Sequence, residues 1–355
     1  MKQKFSLCFI FFFLSHFLLQ GLPNESNFLR VNGKRKKFED DSDIVVSTKR
    51  IQFHNFPQAH NPSIIKIDQG FLLTFRYMPD PLQLWISCIC VVILDESFEP
   101  LSEPQVLDTC INSAIPSQAE DARIFSFNGE YYVIYNDNVE IVSPSAKERR
   151  DLFIAKLHVE DDPISLSTPL KLIHTQKYKS VLWQKNWVPF VWKNTILLGY
   201  SINPHEVLYP NLRNGKCHHC YETASSINWR WGPLRGGTPA LKVDGQYLAF
   251  FHSPTYISTI SSNFEKMWHY FMGAYTFSED PPFNLTKISP IPIVGKNFYS
   301  ISQNPKRIIY PGGFVVSNSF IYLAYGKDDS EIWIATLDKT RLLDSLVPLE
   351  TLWEE

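Results

Sequence analysis

With 355 residues, 44% of them apolar and 14% aromatic, the chain is long enough to bury a large core and too apolar for a disordered one. A formal charge of −2, from 34 basic and 36 acidic side chains of mixed order, gives no basic face for nucleic acid. The basic run Lys34-Arg35-Lys36-Lys37 is followed at once by Glu39-Asp40-Asp41 and reads as a solvated linker.

Residues 1–20 read as a targeting segment, with Lys2 and Lys4 ahead of a nearly all-apolar run from Phe5 to Leu19. As a helix that run spans about 22 Å, short of a hydrocarbon core of about 30 Å. A secretory signal is therefore expected over a membrane tether through residues 5–19. The poor small-residue pattern near Leu19-Gln20-Gly21 keeps a retained anchor open. Residues 21–44 read as a flexible stem and 45–350 as the folded domain.

From there the sequence repeats one theme. His60-Asn61-Pro62-Ser63 opens an apolar run that ends near Arg76. Gln118-Ala119-Glu120-Asp121-Ala122-Arg123 opens the next, and its Asn128-Gly129 pair tolerates the φ > 0 of the primed turns that match strand twist. Lys185-Asn186-Trp187, Gly236-Gly237-Thr238-Pro239 and Pro311-Gly312-Gly313 each lead into a further hairpin. Openings roughly 50 to 75 residues apart fit a repeat of about four strands plus loops. The expected fold is all-β, a five-bladed β-propeller, because a single sheet hides its two apolar faces only when neighbours stack radially on it. Trp85 to Leu94, Leu152 to Leu157 and Ile332 to Leu337 are expected as outer strands. Ser143 to Arg150 and Asn203 to Asn214 are expected as loops on their Pro, Asn and Gly content.

Beyond the leader the cysteines are Cys88, Cys90, Cys110, Cys217 and Cys220, an odd number that leaves at least one free or paired between chains. Cys88 and Cys90 point to one face of an apolar strand, where burial explains them. Cys217-His218-His219-Cys220 has the look of a metal knuckle, but no second pair completes a tetrahedral set, so a loop disulfide or free thiols are expected and no metal. No cofactor is expected. The sequons at Asn24 and Asn284 matter only where exported chains are glycosylated.

If the openings converge at one mouth of an axial channel, they gather Asn61, Glu120, Asp121, Arg123, Lys185, Asn186, Arg235 and His252, with Arg76 and Asp328 from strand ends. Carboxylates, amides and guanidinium groups in that mixture suit sugar hydroxyls. Trp187, Trp229, Trp231 and Tyr270 are candidate platforms for pyranose faces, with blade packing as the plainer explanation of each. Asp121 feels a like charge from Glu120 and a cation in Arg123. It is the candidate for proton transfer, since cleaving a glycosidic bond needs one carboxyl held protonated. An ion-pair clamp tying adjacent blades through Glu120, Asp121 and Arg123 stands beside that reading.

Glu120-Asp121-Ala122-Arg123-Ile124, Lys185-Asn186, Gly237-Thr238-Pro239-Ala240, Phe251-His252, Tyr270-Phe271-Met272-Gly273-Ala274 and Tyr325-Gly326-Lys327-Asp328-Asp329 follow in an order that resembles glycoside hydrolase family 130. That family comprises β-mannoside phosphorylases and β-1,2-mannosidases on five-bladed propellers. The similarity runs from about Asn61 to about Leu337. The resemblance implies that Asp121 is the catalytic acid, acting in the phosphorylases through a sugar hydroxyl. It implies that Arg76 grips substrate and that Asp328 holds the sugar at the non-reducing end. Lys185 and Asn186 fall where the phosphorylases begin a phosphate pocket, and His252 and Tyr270 where they complete it.

Two departures stand out. Ala122 replaces a proline, which loosens the turn. Tyr200-Ser201-Ile202 stands where the phosphorylases carry an arginine, with Arg235 as a compensating cation from the fourth opening. Hydrolysis is therefore expected over phosphorolysis, with inversion and a second carboxylate roughly 6.5 to 9.5 Å from the acid. Glu222, Asp329 and Glu331 are the unranked candidates for that base. An oligosaccharide or glycan is the expected substrate, with inorganic phosphate as the less favoured co-substrate. A glycosyltransferase on the same propeller, tethered through the leader, and a non-catalytic glycan binder remain the alternatives.

Overall fold

The computed structural model describes residues 28–31, 34–37 and 42–353, apart from 81, 84–85, 110, 112–115, 139–148, 225–226, 260–261 and 301–303. The leader, the Asn24 sequon, most of the stem, Cys110 and most of the loop expected from Ser143 lie outside the described residues. Lys34–Lys37, read as linker, pairs antiparallel with Phe28–Val31.

The regular structure of the described chain is nearly all β, with one short α-helix at Lys339–Ser345, and its strands form successive antiparallel runs. His60–Ile67, Gly70–Tyr77, Cys88–Leu94 and Gln105–Val106 pair in chain order. Glu120–Phe127, Glu130–Asp137, Asp151–His158 and Leu170–His174 follow the same plan. So do Val188–Trp192, Thr195–Ser201, His205–Pro210 and Lys216–Thr223. Next, Arg235–Gly236 and Leu241–Val243 pair with Gln246–Ser258, which pairs with Lys266–Ser278 and through it with Leu285–Ile288. In the last run Lys306–Val316, Phe320–Lys327 and Glu331–Asp338 are completed by Val45–Ile51 from the start of the domain, so the two ends of the domain close one sheet.

Period-two alternation sends each strand's residues to opposite faces, and the core is built between runs. Leu72 and Val91 meet Ile124 and Val133, while Leu73 and Ile64, on the other face, meet Ala324 and Ile334. Phe125 and Ile134 pack with Leu198 and Leu208, Phe190 and Val207 with Phe251 and Tyr275, and Phe250 and Met272 with Ile309 and Leu323. Each such side chain contributes about 1.5–3 kcal/mol on full burial. No sheet hides both of its faces without its two neighbours.

The opening strands approach one another closely. A Cβ on Gly312 would lie 2.0 Å from Pro62 O, one on Gly236 2.3 Å from Asn186 O, and one on Gly237 2.7 Å from Pro311 O. Ser63 Oγ accepts a 3.1 Å hydrogen bond from Ile124 N. The glycines of the openings are thus sites of main-chain contact between runs.

Asn203 to Asn214, expected as a loop, contains the strand His205–Pro210. Its Val207 and Leu208 are fully buried and paired on both sides. The Pro and Asn residues punctuate only its ends, so tertiary pairing overrides their turn preference. Cys217-His218-His219-Cys220 likewise lies within the strand Lys216–Thr223. Both cysteines are free thiols, as are Cys88 and Cys90, and no cluster of three metal-ligating side chains occurs among the described residues.

Candidate functional site

Near the start of three of the opening strands an Asn or Asp stands in the left-handed region: Asn61 at φ 49°, Asp121 at 58° and, two residues ahead of its strand, Asn186 at 63°. Short polar side chains tolerate that conformation best among non-glycine residues. At the first two, the ladder shifts between His60 and Ser63 and between Glu120 and Arg123. Such bulges re-aim a side chain, and here they bring Asn61 Nδ2 within 2.9 Å of Asp121 Oδ1.

Glu120 is buried and receives three cations. Arg76 Nη1 lies 2.7 Å from Oε2, Arg150 Nη1 lies 3.1 Å from Oε1, and Lys185 Nζ also bonds Oε1. Arg123, only 1% exposed, donates to the main-chain oxygens of Gly236, Gly237 and Asp121, to Asn186 Oδ1 and, at 2.6 Å, to Tyr310 Oη. Its guanidinium therefore joins four runs. The expected clamp exists in altered form: Arg123 holds main-chain oxygens, and Glu120 pairs with Arg76, Arg150 and Lys185.

Burial alone would raise the Asp121 pKa. Lys185, Arg123 and Arg76, with the Asn61 hydrogen bond, outweigh it and hold the carboxyl below the ordinary carboxylate range. His252 is held neutral, its pKa well below the usual value, by burial and then by Arg123, Arg235 and Lys185. Its ring stacks on Tyr270, with centroids 5.9 Å apart and planes 5° apart, and approaches Tyr310 at 5.0 Å. Arg235 is exposed and sits opposite His252 in the ladder.

Asp328, at φ 55°, closes the strand Phe320–Lys327. Its Oδ1 accepts a 2.8 Å bond from Ile308 N, and burial pushes its pKa up to about 6. The charge of neighbouring Asp329 reaches His60, as does that of Asp121. Of the other base candidates, Glu222 is half-exposed on the last strand of its run, and Glu331 is bonded to Arg50 and to Trp333 Nε1. Trp187, Trp229 and Trp231 are buried in the core, so packing accounts for them, while Tyr270 stays half-buried beside His252.

Arg150, Tyr310 and His60 join this cluster without having been singled out in the sequence. Arg150 is the last residue of the segment read as loop from Ser143, and Tyr310 stands just before Pro311-Gly312, which marked only an opening. Among the described residues, Asn61 Oδ1, His60 Nε2, Arg76 Nε and His252 Nδ1 are buried polar atoms without a hydrogen-bond partner. Each such atom costs about 1–3 kcal/mol. Asn61 and Arg76 are themselves bonded to Asp121 and Glu120, so their unpartnered atoms sit where a site built for a polar ligand would present them.

No protein-family model and no curated protein sequence matches the chain. Solved structures do. One belongs to work on the GH130 family of mannoside phosphorylases and its hydrolases that target β-1,2-mannosidic linkages in Candida mannan; it has a TM-score of 0.58 and 12% identity over 80% of this chain and 85% of that one. The β-1,2-mannobiose phosphorylase of Listeria innocua, in complex with β-1,2-mannobiose, gives 0.53 and 16% over 87% and 95%. A GDP-Man-dependent mannosyltransferase from Leishmania mexicana gives 0.50 and 12% over 84% and 90%. The chain therefore has the fold of the glycoside hydrolase family 130 enzymes.

Proposed function

We propose that the protein transfers a glycosyl group of the mannoside class, with inversion, between a glycan and a phosphate-bearing partner, Asp121 handling the proton. The observation that carries this is the charge around Asp121: three cations, Lys185, Arg123 and Arg76, bear on it, with Glu120 the second carboxylate among them. A neutral sugar and water would leave that excess unmatched. A phosphate group against Lys185 and Arg76 would match it and relax the pull that keeps Asp121 ionised, raising its pKa toward a value suited to proton transfer.

In the cleaving direction a phosphate oxygen attacks the anomeric carbon opposite the leaving group. The glycosidic C–O bond breaks, and the proton of Asp121 reaches the leaving oxygen through a sugar hydroxyl. In the building direction the acceptor hydroxyl returns its proton to the carboxylate, and the phosphate-bearing group departs. The ionised carboxylate of the ligand-free site is the form the building direction needs. Two of the structural relatives, a phosphorylase and a GDP-Man-dependent transferase, use such partners.

Hydrolysis is the second reading, favoured by Tyr200-Ser201-Ile202 where an arginine was expected. Against it, Arg150 supplies a cation from the preceding run, and each of the three base candidates has a partner elsewhere: Asp329 in Lys306, Glu331 in Arg50 and Trp333, and half-exposed Glu222 in His219. A five-bladed propeller is part of the proposal, supported by five apolar clusters each shared by consecutive runs and by contacts that return from Gly312 to Pro62. So is export, or tethering, through residues 1–20.

The test is to incubate the purified protein with β-1,2-mannobiose with and without inorganic phosphate, and with GDP-mannose plus a mannoside acceptor. Mannose 1-phosphate or an extended mannoside supports the proposal. Free mannose at a rate indifferent to phosphate selects hydrolysis, and no product in any arm leaves a glycan-binding domain.

A further inference from the structure

We infer that the paired strands Gln246–Ser258 and Lys266–Ser278 carry a binding track for an extended glycan chain, leading out of the site along Tyr270, Tyr256 and Trp268. The inference rests on reading that site as one for glycans. The two strands stay in register over their whole length, from Gln246↔Ser278 to Ser258↔Lys266. On one edge their partner strands reach only as far as His252, opposite Arg235. Past that point the ribbon runs on, and period two decides what it displays.

His252, Pro254 and Tyr256 share one face of their strand, and the opposing residues Met272, Tyr270 and Trp268 share it across the ladder. Nearer the turn at Asp244-Gly245 this face is core, with Leu248, Phe250, Met272 and Ala274 buried against the last run. At His252 and Tyr270 it enters the site. Beyond, it opens: Tyr256 is 55% and Trp268 47% exposed, their rings 5.5 Å apart. The opposite face stays covered, with Ser253, His269 and Phe271 fully buried. The exposed aromatics are therefore confined to the side that continues the site, about 13 Å along the strand from His252 to Tyr256.

Half-exposed aromatic rings in a row offer apolar faces while their rims stay wet, which suits the C–H faces of successive pyranose rings. An exposed patch of this kind marks a binding surface. Its continuity with the His252–Tyr270 stack makes the occupant the remainder of the chain whose end is held at Asp121.

Calorimetric titration of the full-length protein with β-1,2-linked mannobiose and with a β-1,2-linked chain of five or six mannose units, without co-substrate, tests this. The longer chain is expected to bind about tenfold more tightly. Trp268→Ala and Tyr256→Ala are each expected to remove roughly fivefold of that gain, leaving the disaccharide unaffected, and Trp268→Phe to restore most of it. Equal affinity for both lengths, or equal loss of both in the variants, overturns the track. A dimer in light scattering that Trp268→Ala dissolves would also overturn it, assigning the face to a second copy of the chain. Turnover of the disaccharide is read separately. Conversion without a gain from length removes the track and keeps the function; a gain that depends on Trp268 without conversion does the reverse.

Discussion

Asn61 donates a 2.9 Å hydrogen bond to Asp121 across 60 positions of sequence, and both residues stand at positive φ. That backbone conformation is disfavoured by roughly 1–2 kcal/mol per residue, and each side chain helps to fix the other where the carboxylate meets Lys185, Arg123 and Arg76. Asp121→Asn keeps the shape and accepts the same bond, but removes the proton acceptor. Turnover is expected to fall by about 10²–10⁴, with glycan affinity by calorimetry kept. Loss of affinity in step with turnover would make Asp121 a binding group.

Glu120 compensates Arg76, Arg150 and Lys185 at once. Glu120→Gln leaves those cations facing one another, and a loss on the order of 3 kcal/mol is expected in urea unfolding. Phosphate should restore more of it than sodium chloride at equal ionic strength, because a bound anion replaces the missing charge. Equal recovery in both salts would reduce the effect to general screening.

Arg123 holds main-chain oxygens from separate runs and the Tyr310 hydroxyl. Arg123→Met leaves those buried acceptors without a donor. A destabilisation of about 3–5 kcal/mol is expected, visible as a lower urea midpoint. A variant of unchanged stability and lost glycan affinity would instead place the guanidinium on the ligand.

Asp328 has a pKa of about 6, raised by burial above its unfolded value. The folded state therefore takes up this proton first. The resulting stability is full below about pH 4 and is lost as pH rises through about 6. Between pH 4 and pH 7 the wild type should lose on the order of 2 kcal/mol that Asp328→Asn does not, as read from paired urea titrations. Parallel pH profiles for the two proteins would show that Asp328 is not the group responsible.

Much of this was legible locally. The Asn128-Gly129 turn stands at φ 52° and 76°, as the primed turn requires, and strands expected near Leu152 and Ile332 appear as Asp151–His158 and Glu331–Asp338. The His205–Pro210 strand was hidden because Pro and Asn at its ends outweighed a short apolar middle. The choice between stacking platform and core for the tryptophans was also undecidable from spacing, since a ring beside a polar opening can turn either way.

The sequence by itself determined much of the strand periodicity and turns such as Asn128-Gly129, because each depends on neighbours one to four residues away. Only the tertiary structure decided that Arg150 shares Glu120 with Lys185 and Arg76, that Tyr310 receives Arg123, and that Tyr256 and Trp268 face outward from the site. Those relationships follow from closing the sheets on one another. Burial then leaves each charge whichever partner the neighbouring runs bring within reach.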